Sequence, residues 1–352
     1  MKKLLTMPLQ GVTIDNRKID MEFDKTEVAP MPVKEKILTV LEERGSRGIT
    51  GKELAASVGM TKNTVWKAVK ELREDGYAIF AMANKGYCLN SENDILSEKS
   101  IHQYLKTVSY GRSMDVFKTI DSTSNFAKSL ARLGMPDGTT VIADFQTNGR
   151  GRTDTAFYSP GNTGIYMSVI VRPKISVDYS LMLTSCAATA VAESIEALAG
   201  IHPEIEWIND IMLNGKKVGG ILTEPRINID EGGLDYAVIG IGINVLTENF
   251  PKDIRDGATS IFLETGRDIS RVKLVADILN RMESKINGIQ DKSIAEDYKK
   301  YSAFIGKDVT VRRAGEVYSA TVLNLDEFGR LVIESEDDEL IALTSGEVTL
   351  LD

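Results

Sequence analysis

The residues best suited to chemistry fall in two short stretches. In "FQTNGRGRTDTAFYSPGNTG", residues 145–164, glycine and arginine alternate over Gly149-Arg150-Gly151-Arg152. Glycines let a ligand approach the main chain, and guanidinium forks suit carboxylate or phosphate. The tetrapeptide alone is equally a nucleic-acid contact or a basic loop. The second stretch is "NDIMLNGKKVGG", residues 209–220. Asn214-Gly215 between apolar runs predicts a two-residue hairpin with a type I′ turn. That turn pairs Leu213 with Lys216, Met212 with Lys217 and Asp210 with Gly219. Asp210 and Lys217 then become diagonal neighbours on one face, about 7–8 Å apart. A carboxylate able to orient Mg²⁺ or a ribose and an ammonium able to meet phosphate project into one space, with Gly219-Gly220 leaving room beside them. An exposed cross-strand ion pair satisfies the same pattern.

Other polar groups can join them. "DSTSN", residues 121–125, opens a helix with hydroxyls that cap it or bind a short polar ligand. In "IGIGINV", Gly240 and Gly242 interrupt a buried strand that Asn244 ends. Such glycines mark either close approach of a backbone or ligand, or loose packing.

The elements that position these groups follow from pattern and composition. The chain has 352 residues, enough for two or three domains, and a net charge of −9. General attraction to nucleic acid is therefore excluded, and DNA binding requires a local basic surface. Two cysteines, Cys88 and Cys186, and two histidines, His102 and His202, leave little material for a disulfide framework, a zinc site or a Ser-His-Asp triad. No stretch reads as a membrane span or a signal peptide, so the expected compartment is the cytoplasm. Residues 1–31 read as an extension with no chemistry of their own.

Residues 32–92 read as a winged helix. Val33, Ile37, Val40 and Leu41 recur at helical spacing; Thr50 and Glu53 form a capping box for "KELAASVG", which Gly59 stops. A third helix, "TKNTVWKAVKELREDG", turns Val65, Val69 and Leu72 inward. Its outward side carries Thr61, Lys62, Asn63, Thr64, Trp66, Lys67 and Lys70. Residues 51–74 hold five Lys/Arg against three Glu, a local charge of +2. "YAIFAMANKGYCL" forms a hairpin wing through Asn84-Lys85-Gly86. A helical packing module is the alternative; cap, turn, basic helix and hairpin in that order favour DNA. Residues 93–297 alternate strand-like runs ("TTVIADFQ", "GIYMSVIVRP", "EIEWIND", "VGGILTEP", "YAVIGIGINV") with the helical segments "SLMLTSCAATAVAESIEALAG" and "SRVKLVADILNRMESKING", a mixed α/β domain. Residues 298–352 give several short strands with turns at Gly315, Phe328-Gly329 and Asp337-Asp338. The fold class is thus α+β, mixed and multidomain.

In this order, the winged helix, DSTSN, FQTNGRGR…SPGNTGIYMS, WINDIMLNGKKVGGILTE, IGIGIN and a terminal SGEV resemble the bifunctional biotin–protein ligase and biotin-operon repressor family over about residues 32–352. The resemblance implies a small SH3-like barrel at the C-terminus and a biotin-ligase-like central domain. It also implies an ATP- and Mg²⁺-dependent ligase that forms biotinyl-5′-adenylate and passes biotin to a lysine of a carboxylase's biotin carboxyl carrier domain. The adenylate-bound form then dimerises and represses operator DNA, with biotin as corepressor. Carried over by position, Ser122, Thr123, Gln146, Gly149, Arg150 and Gly220 surround biotin. Arg152 and Lys217 face the carboxylate and α-phosphate, Phe157 covers the adenylate, Asp210 helps place the metal, and Asn244 meets the adenine.

The chain departs from the family at three places. The motif GRGR-x-G-R-x-W reads GRGR-Thr153-Asp154-Thr155-Ala156-Phe157, losing a glycine, an arginine and the tryptophan. Glu206 replaces the lysine of KWPND, and Ser124 stands where asparagine is common. At roughly 6 Å and an effective dielectric of about 20, one unit-charge pair is worth roughly 3 kcal/mol, and the reversal at position 206 doubles it. A catalytically weak, ligand-sensing regulator is therefore the alternative expectation. The related lipoate ligases rank behind both, because their glycine-rich signature with a following histidine is absent.

Overall fold

A computed structural model describes residues 32–44, 47–74, 77, 79–82, 86–89, 94–152, 155–228, 233–291, 293–313 and 315–351. The chain divides into two compact units, Met1–Asn93 and Asp94–Asp352.

The first unit holds α1 (Val33–Arg44), α2 (Gly51–Val58) and α3 (Lys62–Glu74), then β1 (Ile79–Met82) and β2 (Gly86–Leu89). The capping box forms: the Thr50 hydroxyl accepts from Glu53 N–H, and the Glu53 carboxylate accepts from Thr50 N–H. Such a cap contributes about 1 kcal/mol. Gly59 ends α2 in the left-handed region. Ile37, Leu41, Leu54, Val58, Val65, Val69 and Leu72 close a small core, while Val33 and Val40 pack at its edge. On α3, Lys62, Asn63, Trp66, Lys67 and Lys70 are exposed. Thr61 and Thr64 instead bond each other through their hydroxyls at the start of the helix. The antiparallel β1–β2 pair runs from Ile79↔Leu89 to Met82↔Gly86, and Tyr87 pairs with Ile49. Gly86 has φ +76°, and a Cβ there would lie 2.2 Å from the Ile49 carbonyl oxygen, so this corner admits only glycine. Lys85, expected at the wing tip, lies outside the described residues, as do residues 1–31.

The second unit begins with α4 (Glu98–His102), β3 (Met114–Ile120), α5 (Thr123–Arg132), β4 (Thr140–Gln146) and β5 (Gly164–Val171). It continues with α6 (Ser180–Ala199), β6 (Glu204–Glu206), β7 (Asp210–Leu213), β8 (Lys216–Asn228), β9 (Gly233–Asn244), α7 (Ile261–Thr265), α8 (Arg271–Asn287) and α9 (Ser293–Lys299). Seven strands form one mixed sheet in the order β3-β4-β5-β9-β8-β7-β6, with only β3 and β4 parallel. Successive side chains of β4 point to opposite faces. Val141 packs with Ala127 and Ala131 of α5, and Ile142 joins the larger core of α6 and α8. An 18-residue window within Val177–Ala199 reaches a mean hydropathy of 1.3, and 72% of it is buried inside the fold, as in a core helix.

Two further readings are corrected. "EIEWIND" is not one strand: Asn209 N–H turns back to the Glu206 carbonyl, and the Trp207 indole donates to the Gly329 carbonyl. The strand β3 was not among the sequence-read runs; it is a half-exposed edge strand with Asp115 and Lys118 in its pattern. The chain closes with β10 (Asp308–Arg313), β11 (Glu316–Leu325), β12 (Leu331–Ser335), β13 (Leu340–Leu343) and β14 (Glu347–Leu350), an antiparallel sheet ordered β13-β12-β11-β10-β14. Its Phe328-Gly329 turn seats on α6, where a Cβ at Gly329 would lie 2.7 Å from Met182 N.

Candidate active site

The Asn214-Gly215 turn forms as read, with positive φ at both residues. The pairing beyond it does not. Leu213 faces Lys216 and Met212 faces Lys217, but Ile211 then faces Gly219 and Asp210 faces Gly220. Val218 is the extra residue of a β-bulge. The cause lies far along the chain: Lys217 N–H donates to the Gly257 carbonyl, and its own carbonyl accepts from Thr259 N–H. The one-residue shift sets Gly220, rather than Gly219, against Asp210. A Cβ at Gly220 would stand 3.4 Å from both Asp210 Oδ1 and Lys217 Cε, whereas Gly219 faces the Gly242 carbonyl. Lys217 Nζ reaches Asp210 Oδ2 at 2.7 Å. The expected diagonal neighbours are thus a direct ion pair.

That pair ends a longer chain. Asn209, buried beneath it, donates from Nδ2 to Asp210 Oδ1 at 2.6 Å and accepts at Oδ1 from Arg152 Nη1 at 2.6 Å. Arg152, Asn209, Asp210 and Lys217 line one end of a cleft of about 350 Å³. Toward the other end lies a polar, uncharged cluster. Thr123 donates to Gln146 Oε1 from its backbone N–H (2.9 Å) and its hydroxyl (3.1 Å), and Gln146 Nε2 donates to Ser159 Oγ at 3.0 Å. Ser168 Oγ donates to Thr123 Oγ1, and Ser124 Oγ bonds Ser168 Oγ. Ser122, Thr123 and Ser124 line this end with Gln146, and Met167, Ile221 and Leu222 supply apolar walls.

The glycines of GRGR answer to their own loop. Neither Gly149 nor Gly151 has a positive φ. A Cβ at Gly149 would meet the Phe157 carbonyl oxygen and Ser159 Oγ at 2.6 Å, and one at Gly151 would meet Thr155 Oγ1 at 2.7 Å. The loop folds back through Gly151 N–H to the Thr155 carbonyl and Phe157 N–H to the Gly149 carbonyl. Arg150 and Arg152 line the cleft, while Gly149 is buried behind it. Gly242 has a similar explanation, since a Cβ there would lie 2.6 Å from the Phe157 ring. Close approach occurs as read, but the approaching group is this aromatic side chain, which also packs edge-on to Tyr166. Gly240 makes room for Ser124 Oγ in the same way. Asn244 also sits behind the lining; its Nδ2 donates to the Thr259 carbonyl, and its buried Oδ1 has no protein partner.

Glu206 pairs with Asp210 across β6 and β7 and is outside the cleft lining. Burial, then the Asp210 carboxylate, raises its pKa, partly opposed by Lys217. Sequence reasoning missed Asn209 as a functional residue, although it sits in the quoted WIND. It also missed Ser168, and Gly346 and Glu347, which the C-terminal sheet contributes to the lining. Among the described residues, no group of three His, Cys, Asp or Glu could hold a metal by itself.

Comparison with known proteins points to one family. Residues 116–244 match the biotin/lipoate A/B protein ligase family, residues 33–88 an HTH domain, and residues 304–351 the biotin protein ligase C terminal domain. The chain is 35% identical over 306 residues to the bifunctional ligase/repressor BirA of Bacillus spizizenii, covering 86% of this chain and 94% of that one. The chain belongs to the bifunctional biotin ligase/repressor family. A more distant member of this family, BirA of Escherichia coli, is 26% identical over 305 residues, covering 86% of this chain and 92% of its own. Among solved structures, the Aquifex aeolicus biotin protein ligase in complex with biotin and ATP superposes with a TM-score of 0.57 at 28% identity, over 68% of this chain and 99% of that one.

Proposed function

We propose that this member of the biotin ligase/repressor family joins biotin to ATP as biotinyl-5′-adenylate, transfers biotin to a lysine of a biotin carboxyl carrier domain, and represses operator DNA through its winged helix. The observation that carries the reading is the placement of Arg152, Asn209, Asp210 and Lys217 in one cleft with the uncharged polar cluster of Ser122, Thr123 and Gln146. A neutral ureido ring suits Thr123, Ser122 and Gln146, and the carboxylate tail then points toward Arg152 and Lys217. Biotin's carboxylate attacks the α-phosphorus, the bond to pyrophosphate breaks, and the negative charge gathered on the phosphoryl oxygens lies beside Lys217. A fixed cation there stabilises the transition state more than the ground state. In the second half-reaction the carrier lysine amine attacks the acyl carbonyl, and AMP leaves with the bonding pair.

Arg150 and Gly220 flank biotin, Phe157 covers the adenylate, and the unpartnered Asn244 Oδ1 is an acceptor suited to an adenine amino group. A single carboxylate fits Mg²⁺, which takes most of its ligands from water and substrate phosphates; Asp210 would hold it, and the ion would neutralise phosphate charge. The repressing species is a ligand-bound homodimer, with Lys62, Asn63, Trp66 and Lys67 of α3 facing the operator. ATP and DNA as ligands support a cytoplasmic location. The sensor-only alternative rested on Glu206, which pairs with Asp210 outside the lining, and on the altered loop after Arg152, whose Arg152 and Phe157 still line the cleft.

The test is biotin transfer to a purified carrier domain, read by mass spectrometry as the mass of biotin less water on one lysine. The parent modifies the carrier in the presence of MgATP, and Lys217→Ala does so at least about a hundredfold more slowly. An equal rate in the two proteins would remove Lys217 from the mechanism.

A further inference from the structure

Arg271, the first residue of α8, is a buried cation outside the cleft, with only 5% of its side chain exposed. Its guanidinium is divided between two carboxylates. Nε donates to Asp94 Oδ2 at 2.7 Å and Nη2 to the Asp94 backbone carbonyl at 2.9 Å. Nη1 donates to Asp144 Oδ1 at 2.9 Å and to the Gly164 carbonyl at 3.2 Å. Asp94 Oδ1 also accepts the backbone N–H groups of Arg271 and Val272, so it caps α8. Asp94 is the first residue of the second unit, directly after Asn93 ends the winged-helix unit.

The other carboxylate leads to the cleft. Asp144 lies two residues before Gln146 on β4, so both side chains leave the same face of the strand. Asp144 Oδ1 accepts Asn162 N–H at 3.1 Å, and Lys118 Nζ bridges Asp144 Oδ2 and Asn162 Oδ1. Burial alone would raise the Asp144 pKa, but hydrogen bonds from Arg271 and Lys118 hold it below its usual value. Ser159, which holds the Gln146 amide, lies just before the 161–163 turn that contains Asn162 and leads into β5 at Gly164. Asp144, two residues from Gln146, and Asp94, the first residue of the second unit, therefore share one guanidinium.

Stability alone is a weak reason for this arrangement. Buried ion triads are often replaced by apolar residues at no net loss, whereas breaking one leaves an uncompensated charge. What a shared guanidinium adds is geometry, because its two partners cannot move independently. We propose that Arg271 is a positioning residue that couples occupancy of the biotin pocket to the chain segment leading to the winged helix. The proposal rests on the biotin reading of the cleft. It makes Asp94 the output of the coupling and Asp144, with the 159–164 segment, the input.

Hydrogen exchange by mass spectrometry on the full chain, with and without biotin plus MgATP, tests it. In the parent, ligand slows exchange in peptides covering residues 159–166 and 94–102, the latter by about tenfold, a size common for couplings between sites. Asp94→Asn keeps the side chain's shape and an acceptor but removes its charge. It is expected to keep protection at 159–166, keep the biotin KM of adenylation, and lose most of the protection at 94–102. The ratio of operator Kd without and with ligand should shrink to match. A merely structural role would lower Tm without separating the two peptides. Protection at 94–102 equal in parent and Asp94→Asn, or protection in the parent confined to 159–166, would overturn the coupling. A parent with no protection anywhere would sink the biotin reading and the coupling with it. Should Asp94→Asn fail to fold, Arg271→Lys, which keeps the charge but cannot span both carboxylates, is measured in its place; the parent result decides the second criterion by itself.

Discussion

Replacing Asn209 by alanine cuts the chain that joins the GRGR loop to Asp210 and Lys217. The Asn209 amide makes two 2.6 Å hydrogen bonds, one from the Arg152 guanidinium and one to the Asp210 carboxylate. Hydrogen bonds to charged groups contribute about 1.5–3 kcal/mol each. Asn209 is buried, but Arg152 is exposed and the Asp210 side chain is 29% exposed, so water recovers part of both bonds on truncation. A combined loss of about 2–3 kcal/mol is therefore expected, at or just below the lower end of the roughly 3–6 kcal/mol sum. If the chain is most needed when phosphate charge develops, the loss appears in kcat/KM as about 30- to 150-fold. The assay is adenylate formation from biotin and MgATP labelled at the α-phosphate, for the parent, Asn209→Ala, Arg152→Ala and the double variant. Asn209 acts on catalysis partly through Arg152, so the double variant should be little worse than the poorer single one. Fully additive losses, or an Asn209→Ala rate within about threefold of the parent, would refute the reasoning.

Three other outcomes are expected. Glu206 has a raised pKa in the folded protein, so its ionisation destabilises the fold as pH rises from the ordinary carboxylate range through that raised value. Glu206→Gln should thus have a higher Tm than the parent at neutral pH, with the difference shrinking below that window; thermal unfolding across pH checks the sign. Gly242→Ala places a Cβ 2.6 Å from the Phe157 ring and should displace it, raising the ATP KM of adenylation about tenfold or more in steady-state kinetics. Lys62→Ala and Lys67→Ala on the exposed side of α3 should weaken operator binding and each reduce the salt slope of log K by about 1, read by fluorescence anisotropy across salt concentrations.

What could be read from the chain was local. The Thr50–Glu53 capping box and the Asn214-Gly215 turn depend on residues within a few positions of each other, and both form as written. The bulge at Val218 depends on the segment 257–259, some forty residues away, so a hairpin extrapolated from its turn went out of register. Glycines identified the right places for partly the wrong reason. Gly149, Gly151, Gly240 and Gly242 are small because neighbouring protein groups occupy the space, and the cleft owes its shape to those groups. The edge strand β3 escaped notice because its exposed face carries charge. Asn209 was hidden in plain view, since an asparagine beside an aspartate reads as turn chemistry until its two partners are seen. Arg271 gave no local signal at all, as its carboxylates lie 177 and 127 residues away.

The most direct test of the central claim is whether the unmodified chain makes biotinyl-AMP from biotin and α-labelled MgATP, with products separated by chromatography. The account expects a labelled adenylate that requires biotin, appears with release of pyrophosphate and is consumed when a carrier domain is added. No biotin-dependent adenylate, from protein that binds biotin and beside a working ligase as control, would contradict it.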